Sequence, residues 1–175
     1  MSMNISRRSF MKGAAAASLA VAASTMLTGC DMPDLGGIFG GTRTKTIKLE
    51  NGKTVNIALT GYSYDSWFYQ ARTEFKVVNN LDGELKVTDD EPPGIMSGYF
   101  LYVKYDSYAD NNVVTGFDNE NSGLIDKTIA GGEDLTEKLT LNLKSKGEWS
   151  KIKLIFTLYN GTDKVSDPVE FSFDN

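Results

Sequence analysis

From Thr44 onwards the hydrophobic positions recur every second residue, the period of a half-buried β-strand rather than of a helix. Thr46-Ile47-Lys48-Leu49 alternates and is followed by Asn51-Gly52; Val55, Ile57 and Leu59 then alternate with Thr54, Asn56 and Ala58. Asn-Gly accepts the positive φ values of a type I′ turn, so this pair predicts a hairpin. Phe75 and Val77 predict a further strand, which Asp82-Gly83 turns towards Leu85 and Val87. Tyr99, Leu101, Val103 and Tyr105 fall on one face of a long strand, with Phe100, Tyr102 and Lys104 on the other. Apolar residues on both faces predict a central strand. Leu139, Leu141 and Leu143 alternate with Thr140, Asn142 and Lys144, and Ile152, Leu154, Phe156 and Leu158 repeat the pattern. Asn160-Gly161 predicts a turn, and Val169, Phe171 and Phe173 a last strand. No helical period of useful length follows residue 30.

These elements predict an all-β domain over residues 44–175, a β-sandwich of about seven to nine antiparallel strands. Three segments carry a family likeness: Phe75-Lys76-Val77-Val78-Asn79, Gly131-Gly132-Glu133-Asp134-Leu135, and the run from Trp149 to Phe156. In them the chain resembles the Ig-like domains of small bacterial surface lipoproteins, including the telokin-like group. The resemblance implies an Ig-like sandwich. A second cysteine is missing, so the disulfide core of antibody domains is absent and a jelly roll is the competing topology.

The first 30 residues follow a different pattern and read as a processing segment. Ser6-Arg7-Arg8-Ser9-Phe10-Met11-Lys12 resembles the twin-arginine translocation motif, with Met11 where leucine is usual. Gly13–Leu27 is apolar but rich in alanine, serine and glycine, and its 15 residues are fewer than a bilayer-spanning helix needs. An uncleaved membrane anchor is therefore the lesser reading. Leu27-Thr28-Gly29-Cys30 resembles the lipobox of bacterial lipoproteins. That resemblance implies a diacylglyceryl group on the Cys30 sulfur, added palmitate-type acylation, and cleavage before Cys30. The signal peptide then spans 1–29 and a lipid-anchored tether 30–43. Pro33, Gly36-Gly37 and Gly40-Gly41 give the tether linker composition, with Ile38-Phe39 as its apolar spot. In a two-membrane host, Asp31 resembles an inner-membrane retention signal.

Composition narrows the chemistry. The chain of 175 residues has no histidine and one cysteine. That removes the Ser-His-Asp triad, the Cys-His pair, imidazole metal ligands and multi-thiolate zinc sites. Loss of residues 1–29 removes Arg7, Arg8 and Lys12 and leaves 15 basic against 23 acidic side chains, a net charge of −8. Such a chain is a poor match for nucleic acid, whose phosphates need clustered Lys and Arg. It also lacks a polybasic membrane patch, so lipid has to do the anchoring. The expectation is a non-enzymatic protein without metal, haem, flavin or nucleotide, held at the cell membrane and facing the extracytoplasmic side.

Carboxylates are the remaining reactive groups. Asp89-Asp90-Glu91, Asp106, Asp110, Asp118, Glu120 and Asp126 lie in predicted loops. Asp118-Asn119-Glu120-Asn121-Ser122-Gly123 superficially resembles the start of an EF-hand, but its twelfth position is Ile129 where a bidentate glutamate is required. A loop-built calcium site is a minor alternative; solvated loop charge is the expectation. Nothing in the spacing marks a glycosidase pair.

Tyr62, Tyr64, Trp67, Phe68 and Tyr69 crowd eight positions. Aromatic faces stack on sugar rings and are enriched at protein-binding hot spots. Tyr64, Trp67 and Tyr69 are the candidate binding residues, against the expectation that the cluster caps one end of the core. Trp149 is expected inside the core. A body of this kind on a short leash is expected to bind another envelope protein through loops or a strand edge, with a cell-wall glycan as the alternative ligand.

Overall fold

The computed structural model describes residues 43–91, 97–108, 113–144 and 151–174. The export segment with Arg7, Arg8 and Phe10, the Leu27-Thr28-Gly29-Cys30 motif, the tether up to residue 42 and Trp149 lie outside the described residues. Among the described residues, eleven strands run in chain order: β1 (Arg43–Lys48), β2 (Thr54–Asp65), β3 (Gln70–Asn79), β4 (Leu85–Thr88), β5 (Tyr99–Tyr108), β6 (Val114–Phe117), β7 (Thr128–Ile129), β8 (Asp134–Leu143), β9 (Lys151–Asn160), β10 (Asp163–Lys164) and β11 (Val169–Asp174). They form two sheets. The first has the order β1-β2-β3-β8-β6; the second has β10-β9-β5-β4-β7, with β11 also pairing β9. The protein is an all-β sandwich.

The alternation seen in the sequence becomes the division between core and solvent. Val55, Ile57 and Leu59 on β2, Phe75 and Val77 on β3, and Leu139, Leu141 and Leu143 on β8 are buried. They face Leu101 and Val103 on β5, Ile152, Leu154, Phe156 and Leu158 on β9, and Phe171 and Phe173 on β11. Phe75 of the first sheet meets Phe156 and Phe171 of the second edge to face, each at 5.0 Å between ring centroids. That geometry sets the positive ring edge against the negative face.

Asn51-Gly52 makes the predicted hairpin between β1 and β2: Gly52 adopts a φ of 82° and its N–H donates to the Leu49 carbonyl at 3.0 Å. β5 is flanked on both sides, by β9 and by β4, as its two apolar faces predict. Its pairing with β4 is parallel, however, which departs from a wholly antiparallel sandwich. The strands exceed the expected number because β6, β7 and β10 have four, two and two residues. Elements that short carry no period to read.

Asp82-Gly83 does not join two neighbours in one sheet. β3 and β4 belong to different sheets, and the turn carries the chain across the core. Asn79, at the end of β3 and fully buried (0% exposed), organises the crossing. Its Nδ2 donates to the carbonyls of Gly83 and Ile129, both at 2.9 Å, and its Oδ1 accepts the Leu81 N–H at 3.0 Å. Its own N–H donates to the Glu133 carbonyl and its carbonyl accepts the Gly132 N–H. Gly131 lies so close that an added Cβ would stand 2.7 Å from the Leu81 carbonyl oxygen, so only glycine fits there.

Candidate functional site

The aromatic cluster lies at the hairpin between β2 and β3. After Leu59 the register with β3 shifts at a bulge ending at Gly61, and β2 runs on to Asp65. Residues 66–69 then turn the chain into β3. Asp65 shapes this turn. Its Oδ1 accepts the N–H groups of Trp67 and Phe68 at 3.0 and 3.2 Å, the local bond pattern that lets aspartate replace helix or strand pairing with a turn. Its Oδ2 pairs with Arg72 Nη2 at 3.1 Å. Arg72 also donates to Gln70 Oε1 from Nε and Nη2, at 3.3 and 2.9 Å.

Gln70 in turn donates through Nε2 to Asp118 Oδ2 at 2.8 Å and to Asn142 Oδ1 at 3.0 Å. Tyr69 takes the left-handed conformation, φ 51°, that closes the turn, and its carbonyl accepts the Leu143 N–H at 2.8 Å. The tip is thus tied to β8 and to the loop beginning at Asp118. On this braced backbone Trp67 is 89% exposed and Phe68 71%.

The exposure of Trp67 and Phe68 corrects the expectation that the whole cluster caps the core. Tyr64 does so: it is partly buried and packs against the core cluster. Tyr69 is 41% exposed. Tyr62 lies flat against Phe173 of β11, 4.7 Å between centroids with 28° between planes, and the Arg43 guanidinium carbon stands 5.8 Å from the same ring. Burial, then the neighbouring Tyr64 and Asp174, pushes the Tyr62 hydroxyl up to about 12. Of the three nominated residues, Trp67 and Tyr69 are exposed while Tyr64 is packed against the core, and among the described residues no ring contact joins them. Period two fails to separate them because the bulge at Leu59–Gly61 changes which side faces inward.

Phe68, Asp65, Gln70 and Arg72 were not among the nominated residues, and the structure makes them part of the site. The legible signal is Asp65 at the end of an alternating run, where its side chain reaches the N–H groups two and three residues on.

The acidic loops do other work. Asp118 Oδ2 accepts from Asn121 Nδ2 at 2.9 Å as well as from Gln70. The Asn121 side chain chiefly holds its carboxyl below the usual value against some desolvation, with the N–H groups of Asn121 and Glu120 and the Gln70 amide adding to it. Ser122 and Thr140 exchange bonds at 3.0 and 3.2 Å, fixing this loop on β8. Among the described residues, no group of three or more His, Cys, Asp or Glu is placed to hold a metal ion.

Fold and site together define an all-β sandwich that displays a braced aromatic hairpin tip. The TAT (twin-arginine translocation) pathway signal sequence family matches residues 4–24. This is the segment whose Arg7-Arg8 pair stands out in the sequence, and it directs export out of the cytoplasm. No curated protein matches the chain in sequence. Among solved structures, the FixG-related protein from Vibrio parahaemolyticus is similar over 69% of this chain and 95% of that one. The identity is 17% and the TM-score 0.41, a degree of similarity that carries no argument about function.

Proposed function

We propose that the mature protein is a lipid-anchored, non-catalytic contact module with an Ig-like body, held at the extracytoplasmic face of the cell membrane through Cys30. Its Trp67–Phe68 tip is the element that engages another component of the envelope. The observation that carries this reading is the exposure of two adjacent large apolar side chains on a turn held by three polar side chains, Asp65, Gln70 and Arg72. Water exposure of that much apolar surface is unfavourable unless a counterpart covers it. Bracing lowers the cost of contact, because the turn has little conformational freedom left to lose.

The anchor is supported by sequence order. Leu27-Thr28-Gly29-Cys30 follows the matched export segment after a weakly hydrophobic stretch. Two acyl chains hold a protein on a membrane far more firmly than one. The packing of Tyr64 against the core supports a contact tip over a glycan platform that would use Tyr64 beside Trp67.

Mass spectrometry and fractionation test the reading. The native protein is expected to carry the diacylglyceryl mass and to sediment with membranes through a salt wash, whereas Cys30→Ser is released. A Cys30→Ser protein that sediments unchanged refutes the anchor. Trp67→Ala is expected to keep a normal melt; a variant that fails to fold would make Trp67 structural and refute the contact role.

A further inference from the structure

We infer that the counterpart of the Trp67–Phe68 tip is the surface of the bilayer that holds the Cys30 anchor; the inference rests on that anchor. The strand order supplies the reason. β1 runs antiparallel to β2, and its first residue, Arg43, stands opposite Leu59. β2 continues past that point to Asp65, and the turn with Trp67 and Phe68 follows. At about 3.3 Å per residue, the tip lies about 20 Å beyond the place where the chain enters the sandwich. Because β1 runs away from this end, Arg43 is the residue of β1 nearest the tip.

The leash is short. Twelve residues separate Cys30 from Arg43, so the two can stand at most about 45 Å apart. That reach exceeds the projection of the tip. The length of the tether therefore allows a body leashed at Arg43 to bring the tip to headgroup height.

The chemistry of the two ends agrees with this placement. The tip end exposes tryptophan and phenylalanine, side chains that settle at the boundary between hydrocarbon and water. At the opposite end the Lys53 ammonium pairs with Asp82 at 2.7 Å, beside Asn80 and the Gly131-Gly132 turn, and among the described residues the exposed large hydrophobic side chains, Tyr62, Trp67, Phe68 and Tyr69, all belong to the tip hairpin. With a net charge of −8, the mature chain gains nothing from anionic headgroups, so the contact rests on the apolar tip. One lipid anchor fixes distance but not direction. A second contact at the tip sets the orientation of the sandwich on the membrane.

The test uses the full-length native protein reconstituted into phosphatidylcholine vesicles, with or without bromine on the acyl chains. The chain has two tryptophans, so the difference between wild type and Trp67→Phe isolates the emission of Trp67. That emission is expected to shift to the blue, to be quenched by brominated chains and to be shielded from aqueous iodide. If the protein carries the diacylglyceryl mass and sediments, yet Trp67 stays open to iodide and blind to bromine, the anchor stands and this inference falls.

If the mass shows no lipid, the anchor reading falls instead. The tip is then tested by adding the unlipidated protein to the same vesicles: bromine quenching supports membrane contact and its absence overturns it. In the Cys30→Ser background, Trp67→Ala and Phe68→Ala are each expected to lower vesicle partitioning about tenfold while leaving the melt unchanged. A photo-crosslinker at position 68 that joins the tip to a protein rather than to lipid in native membranes also overturns the inference.

Discussion

Asn79→Ala tests whether one buried amide holds the two sheets in register at the β3–β4 crossing. The side chain makes three hydrogen bonds, two to the carbonyls of Gly83 and Ile129 and one from the Leu81 N–H, at 2.9, 2.9 and 3.0 Å. Alanine leaves all three backbone groups without that partner at a fully buried position. A net hydrogen bond contributes about 1 kcal/mol, and a buried group left unsatisfied costs about 1–3 kcal/mol. With some relaxation or water entry, the expected loss is about 3–4 kcal/mol. That is a large share of the roughly 5–15 kcal/mol that stabilises a domain.

Urea unfolding followed by far-UV circular dichroism checks it: the midpoint should fall with the slope unchanged. Asn79→Asp adds a second arm. An ionised carboxylate accepts but cannot donate, so at neutral pH this variant should be less stable than Asn79→Ala. Burial raises such a carboxyl above its unfolded value of about 3.9. Stability is therefore greatest below that value and is lost as pH rises through the folded one. A loss below about 1 kcal/mol for alanine, or an aspartate variant that strengthens with rising pH, would refute the bracket.

Leu141→Asp places an unpaired charge on the fully buried face of β8 and is expected to abolish the cooperative melt; a stable variant would place that face wrongly. Tyr62 should ionise late, near 12, so ultraviolet titration should show a tyrosinate step that Tyr62→Phe removes. Because its folded value is raised, the stability it contributes is whole below its ordinary value of 10.0 and is lost as pH climbs towards 12; a difference between wild type and Tyr62→Phe that titrates near 10 refutes the packing argument. Replacing Arg7 and Arg8 together by lysines should block export, read as loss of the protein from the extracytoplasmic fraction; unaffected export would refute the twin-arginine route.

The periodic strands are legible without coordinates because each sheet buries one face, and Val55, Ile57, Leu59, Leu139, Leu141 and Leu143 state which face it is. Residues whose partners are remote in sequence are not. Asn79 looks like an ordinary polar strand end, yet its amide meets Ile129, 50 positions away. The route of the chain at Asp82-Gly83 has the same origin: a turn signal announces a reversal without saying which sheet receives the next strand. At the candidate site, Gln70 and Arg72 read as outward polar residues, and only the folded pairing brings Asp118 and Asn142 to Gln70.

The sequence alone determines the export signal and the sandwich class. An export signal is read as a linear segment, and alternating burial repeats along every strand. The fates of Tyr64 and Trp67 belong to the tertiary structure. Both are aromatic, three residues apart and equally suited by composition to a core or a surface. Tyr64 still lies on β2, where its ring reaches the core cluster, whereas Trp67 lies past Asp65, on a turn whose N–H groups that carboxylate holds. Trp67 lies beyond Asp65, the last residue of β2 paired with β3, so the larger and more apolar of the two is the one left in water.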